Sequence, residues 1–107
     1  MPWTLSYYNE RVARTIGSWP AGIRARFFEL AKKMLTYGPN LGMPHTRAMG
    51  DGLFEVRASG SEGIGRALYV TVARRRIVVV HAFIKKTEQT PQHELAIARA
   101  RSKEIRT

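Results

Sequence analysis

The chain has 107 residues, enough for one domain and too few for two. An apolar content of 44% fills a modest core, no apolar run approaches the roughly 18 residues of a membrane span, and the absence of cysteine excludes disulfides, thiolate nucleophiles and cysteine metal sites. Eighteen Lys and Arg against eight Asp and Glu give a formal charge of +10, and thirteen of those cations are arginine, whose planar fork grips phosphate and stacks on bases.

A polyanion is therefore the leading partner class, with nucleic acid or a ribonucleoprotein ahead of an acidic protein or simple solubility. The opening "MPWTLSYYNER" has no basic stretch followed by an apolar one, so no secretory leader is expected. Together with the missing cysteine, this fits a cytoplasmic protein with no membrane partner.

Trp3 to Tyr7 reads as a short strand, followed by a polar helix near Asn9 to Ile16. "SWPAGIRARFFELAKKMLTYGP" is the clearest helix: Pro20 suits a first turn, Gly38-Pro39 ends it, and Ile23, Phe27, Leu30, Ala31 and Met34 form one apolar stripe. Arg26, Glu29 and Lys33 lie opposite that stripe, Glu29 to Lys33 at favourable i,i+4 spacing. "GPNLGMPHTRAMGDG", rich in glycine and proline, reads as loop.

Three strands follow. "GLFEVRA" (52–58) sets Phe54 and Val56 against Glu55 and Arg57 on the other face. "IGRALYVTVA" (64–73) sets Arg66, Leu68, Val70 and Val72 against Ala67, Tyr69 and Thr71. "RIVVVHAFI" (76–84) is nearly all β-branched or aromatic, as in a strand covered on both faces. Short connections predict an antiparallel meander, and Thr90-Pro91 then caps a last helix with Leu95 and Ala98 as its core positions. The whole is a single α+β domain over 1–107, with helices packed on one face of an antiparallel sheet.

Chemistry is sparse. His45, His81 and His93 show no metal spacing and the eight acids are scattered, so no metal or other cofactor is expected. "GSEGIG" (60–65) precedes a strand where a phosphate cradle needs a helix, and reads as a flexible hairpin loop. The basic residues are more telling. In a meander Arg57, at the end of one strand, and Arg66, at the start of the next, gather at one end of the sheet. The third strand brings Lys85 and Lys86 to that same end. Arg74, Arg75 and Arg76 occupy the tight turn between, either as an RNA-docking patch or as solvated charge.

The run "GLFEVRASGSEGIGRALYV", then "VVVHAFIKKTEQTP", then "ELAIARAR", resembles the HigB-like, phage-related branch of the RelE/ParE toxin superfamily, over roughly four-fifths of the chain. The resemblance implies a strand, two helices, a three-strand meander and a C-terminal helix. It implies the toxin of a type II toxin–antitoxin pair that cleaves mRNA on the ribosome. It also implies a partner antitoxin, often a helix-turn-helix protein encoded nearby.

By that resemblance Arg57 and Arg66 match positions that hold the scissile phosphate, and Lys85 and Lys86 match the basic cluster after the last strand. Relatives place a tyrosine or histidine near the end of the sheet as acid or base. No tyrosine follows Tyr69 here, which leaves His81, His93 and His45, while Glu55 is either a base or a group that orients Arg57. RNA brings its own nucleophile, the 2′-hydroxyl, so neither a metal nor a protein nucleophile is needed: arginines stabilise the charge, and proton transfer removes the hydroxyl proton and protonates the leaving oxygen. A ParE-like gyrase poison and a basic nucleic-acid-binding module without catalysis stand as alternatives on the same fold.

Overall fold

The computed structural model describes residues 2–85 and 89–106. In chain order the elements are β1 (Thr4–Tyr7), α1 (Glu10–Gly17), α2 (Ala21–Tyr37), β2 (Thr46–Gly50), β3 (Leu53–Gly60), β4 (Gly63–Val72), β5 (Arg76–Lys85) and α3 (Gln92–Arg106). They build an α+β fold around a five-stranded sheet of order β1-β5-β4-β3-β2. The meander β3-β4-β5 is antiparallel, while β1 lies parallel to β5, which makes the sheet mixed. The crossover from β1 to β5 passes through α1, α2 and the other strands, long enough for a parallel pairing.

Local chemistry explains the helices. Asn9 caps α1 by accepting from Val12 N at 3.0 Å. Gly38, at φ +109°, ends α2 where a residue with a side chain would be strained. Ile23, Phe27, Leu30, Ala31 and Met34 are all buried and pack, with Val12, Ile16 and Trp19, on a sheet face made by Val56, Ala58, Ala67, Tyr69, Ile77 and Val79. Glu29 pairs with Arg26, one turn back on the same helix.

Three expectations need correction. The glycine- and proline-rich segment before residue 52 is not all loop, for Thr46–Gly50 forms edge strand β2 against β3. Its hairpin turn carries Asp51 at φ +55° and Gly52 at φ +79°, the left-handed pair that an Asp-Gly turn favours. Second, α1 and α2 share one face, but α3 covers the other, with Ala98 packed on Leu53, Leu68, Val70, Val78, Val80 and Phe83. Third, "GSEGIG" is not a loose loop, because β3 runs to Gly60 and β4 starts at Gly63. Gly65 is required by packing: a Cβ there would lie 2.6 Å from Ile23 Cγ2 and 2.7 Å from Trp19 Cζ3.

A β-bulge sets the phase of the sheet's last strand. Tyr69 pairs with Val79 and Leu68 with His81, so Val80 is an extra residue on β5. Before it, Val79 faces α2; beyond it, Ala82 does. Phe83 accordingly joins the α3 side, and by alternation so do His81 and Lys85. Strict alternation from Val79 would have turned all three toward α2.

Tyr69 ties the α2 side together. Fully buried, it donates from its hydroxyl to the Pro39 carbonyl and stacks on Phe54. Burial pushes its ionisation well above the usual 10, against a smaller opposing pull from the Thr46 hydroxyl. Above that ordinary value the unfolded chain loses this proton and the folded chain keeps it, so stability falls as pH rises. We expect urea midpoints to decline from about pH 10 upward, with Tyr69 supplying up to about 1.4 kcal/mol per pH unit. Tyr69→Phe should flatten that decline; an identical slope in the variant would contradict the assignment.

Candidate functional site

On the α3 side of the sheet, beyond the region that α3 itself covers, polar side chains from four strands and from the stretch before α3 converge. Arg57 and Arg66 are register partners on β3 and β4, and Phe83 of β5 is Arg66's partner on the other side. Lys85 stands two residues past Phe83, exposed. Arg47 of β2 sits opposite Glu55 of β3, one step along from Arg57.

Glu55 lies at the centre and has no exposed surface. Its Oε1 is 3.8 Å from both Arg47 Nη2 and Arg57 Nε, and its Oε2 accepts a hydrogen bond from the Thr90 hydroxyl. The same hydroxyl accepts from Arg66 Nη1 at 3.0 Å. A buried carboxylate is costly unless paired and hydrogen-bonded. The Thr90 hydroxyl bonds Oε2, while Oε1 accepts no hydrogen bond from the described residues and is offset by the two guanidinium charges at 3.8 Å. The cations in turn sit close together because an anion lies among them.

The group is layered. Arg66 is fully buried, Arg57 keeps 13% of its side chain exposed and Arg47 keeps 39%. Beside them opens a cleft of about 510 Å³ lined by Arg47, Met49, Lys85, Gln89, Thr90, Pro91 and Gln92. Arg47 and Lys85 are the cations in the cleft's walls, and two cations so placed suit an anion such as phosphate.

The other residues singled out by sequence divide. His81 shares the site's face, but its Nε2 lies 2.6 Å from Glu94 Oε1 of α3, a half-buried dyad, and its ring packs near Phe83. His93 is largely exposed, 3.8 Å from that same Glu94 oxygen. His45 leans the other way, its Nδ1 3.5 Å from Arg26 Nη2 on α2. Lys86 lies outside the described residues. Arg74, Arg75 and Arg76 are exposed at the opposite end of β4 and β5, eight residues from Arg66, or roughly 26 Å along an extended strand. They do not join the cluster. Arg75 stacks over Trp3 at 5.9 Å instead.

Arg47 and Thr90 belong to the cluster without having been singled out. The signal for Arg47 was the Gly-Asp-Gly turn after it, which marks a hairpin and hence a strand. Thr90 had a plausible role as a helix cap, and nothing local shows that its hydroxyl reaches the sheet. A second hollow of about 360 Å³ lies between α3 and the β2–β3 turn. Its arginines hold the helix: Arg99 donates to Met49 O at 2.6 Å and Gly50 O at 3.2 Å, and Arg106 to Asp51 O at 2.7 Å. Among the described residues no group of three His, Asp or Glu side chains could hold a metal ion, and no helix is long and apolar enough to cross a membrane.

Residues 14–103 match the family described as phage-derived protein Gp49-like (DUF891). The chain belongs to the Gp49-like family. No curated protein matches it in sequence. Its fold is that of RelE. A double arginine-to-alanine mutant of the E. coli toxin RelE, in the free state, superposes with a TM-score of 0.68 at 15% identity, covering 94% of this chain and 98% of that one. RelE from Pyrococcus horikoshii OT3, in its complex with RelB, matches with a TM-score of 0.58 at 17% identity, over 83% of this chain and 100% of the other.

Because Arg66 is enclosed, replacing it in this Gp49-like protein disturbs folding. Arg66→Ala should lower the unfolding free energy by about 3 kcal/mol or more, as expected when one partner of a buried charged group is removed. Urea denaturation checks this; wild-type stability in the variant would mean that Arg66 is not part of the buried network.

Proposed function

We propose that this Gp49-like protein is the toxin of a type II toxin–antitoxin pair: a metal-independent endoribonuclease that cuts mRNA on the ribosome. The single observation that carries the reading is the gathering of four cations from four strands on one face of the sheet. Arg47 and Lys85 line a polar cleft, and Arg57 and Arg66 are engaged beside it through Glu55 and Thr90. A surface that merely keeps a protein soluble spreads its charge; this one stacks cations around a buried carboxylate.

The chemistry follows from RNA itself. The ribose 2′-oxygen attacks the neighbouring phosphorus, the bond to the 5′-oxygen breaks, and a 2′,3′-cyclic phosphate and a free 5′-hydroxyl result. One proton passes from the 2′-hydroxyl to a base, for which His81 Nδ1 is the candidate on this face, and one passes from Lys85 to the departing oxygen. Arg57, Arg47 and Lys85 hold the phosphate and its growing negative charge, a contribution of about 10²–10³ in rate for a well-placed donor. Arg66 adds charge from beneath. Lys85, exposed at the cleft's rim, is the proton donor to the leaving group. Glu55, enclosed and engaged by Thr90, serves as counter-ion and orients Arg57 in place of acting as base. The His81–Glu94 dyad, on the same face, keeps Nδ1 as its remaining nitrogen for proton transfer.

By analogy with the P. horikoshii RelE–RelB complex, a cognate antitoxin binds and silences the chain, and a helix-turn-helix protein encoded nearby fits that role. The setting is cytoplasmic, with the ribosome and mRNA as targets. Arg74, Arg75 and Arg76, at the far end of the sheet, are suited to grip ribosomal RNA away from the cut. The layered cations favour this reading over a gyrase poison, which needs no phosphate-sized cleft.

Primer extension on mRNA from a translating extract tests the proposal. We expect cuts phased to codons when the protein is added, and Arg57→Ala to cut roughly 10²-fold more slowly. Uncut mRNA together with inhibition of gyrase supercoiling would overturn it.

A further inference from the structure

We propose that Thr90 is a positioning residue of this site, holding the buried carboxylate and guanidinium in the arrangement that cleavage needs; this rests on the nuclease reading above. Thr90 lies 35 residues from Glu55 and 24 from Arg66 in sequence, yet its one oxygen donates to Glu55 Oε2 and accepts from Arg66 Nη1. Both capacities of the hydroxyl are thereby used, and both partners are fully buried. Charge-assisted hydrogen bonds of this kind are about twice as strong as neutral ones and fix direction as well as distance.

The consequence passes outward. With Oε2 held by Thr90, the other carboxylate oxygen is left facing Arg47 and Arg57, each at 3.8 Å. Arg47 lines the cleft, and Arg57 keeps 13% of its side chain exposed beside the same carboxylate. Thr90 also lines that cleft, but its proton is directed inward at Glu55, so it acts through other residues and is not itself catalytic. Pro91 reinforces the arrangement, since a residue before proline is confined to extended backbone and Thr90 arrives already restricted. The hydroxyl that a helix start would use as a cap is used here to join the end of β5 and the start of α3 to the floor of the site.

The chemistry required is a hydroxyl on a short stem, which serine retains and valine lacks at nearly the same shape. The experiment compares wild type, Thr90→Ser and Thr90→Val for cleavage of ribosome-bound mRNA, with Arg57→Ala as control and circular dichroism confirming the fold. Thr90→Val should lose about 10- to 100-fold in kcat with KM changed less than about threefold, and Thr90→Ser should recover most of that loss. Where the valine variant melts below the assay temperature, Thr90→Ala replaces it. A valine or alanine variant with wild-type kcat overturns the proposal while leaving the nuclease reading intact. So does a serine variant no better than valine, or a loss confined to KM. Wild type cutting no faster than Arg57→Ala sinks the nuclease reading and this proposal with it.

Discussion

A carboxylate shut away from water must find positive charge and hydrogen-bond donors or lose its own charge, and Glu55 is that carboxylate here. Arg47 arrives from β2, Arg57 from its own strand and Thr90 from the segment leading into α3, with Arg66 of β4 attached to it through that threonine. In a chain carrying +10, such convergence would otherwise be opposed by mutual repulsion. The anion makes it possible to hold several guanidinium groups at one spot with a cleft above them. Fold and candidate site thus share one constraint: the network that answers a burial problem also gathers the cations on which the proposed function rests.

The backbone contributes a second device, the extra residue Val80 in β5. Without it, the residues past Val79 would alternate onto the α2 side, and Lys85 would face away from Arg66. One inserted residue re-aims the strand's end, so the apolar half serves both cores and the last turn of alternation supplies the site. The third device is α3, which buries little beyond Ala98 and Ser102 and is fastened largely by arginines to backbone carbonyls. Arg101 donates to Val80 O at 2.7 Å, so the bulge and the helix support one another.

Much of this is legible in the residues. The stripe on α2, the alternation of β3 and β4 and the approach of Arg57 to Arg66 follow from periodicity and from the geometry of a meander. What is not legible involves contacts without a local signature. The bulge at Val80 hides in a run of valines that reads the same in either phase. Strand β2 hides among glycines and prolines, although its Asp-Gly turn gave a signal. The burial of Arg66 contradicts the ordinary expectation for arginine and depends on Thr90, which looked like a helix cap. Helix α3 lies opposite α1 and α2, because Leu53, Leu68, Val70 and Val78 form a second apolar face that needs a cover. That face was visible in the alternation, and its cover was not.

Glu55 is the anion around which the site's cations gather. A double-mutant cycle of unfolding free energies, with Glu55→Gln, Arg57→Gln and the pair, measures this directly. A coupling of at least about 1 kcal/mol between the two positions is expected, since they share one buried network. Effects that add to within about 0.5 kcal/mol would show that the carboxylate and the guanidinium are neighbours without being partners, and would contradict it.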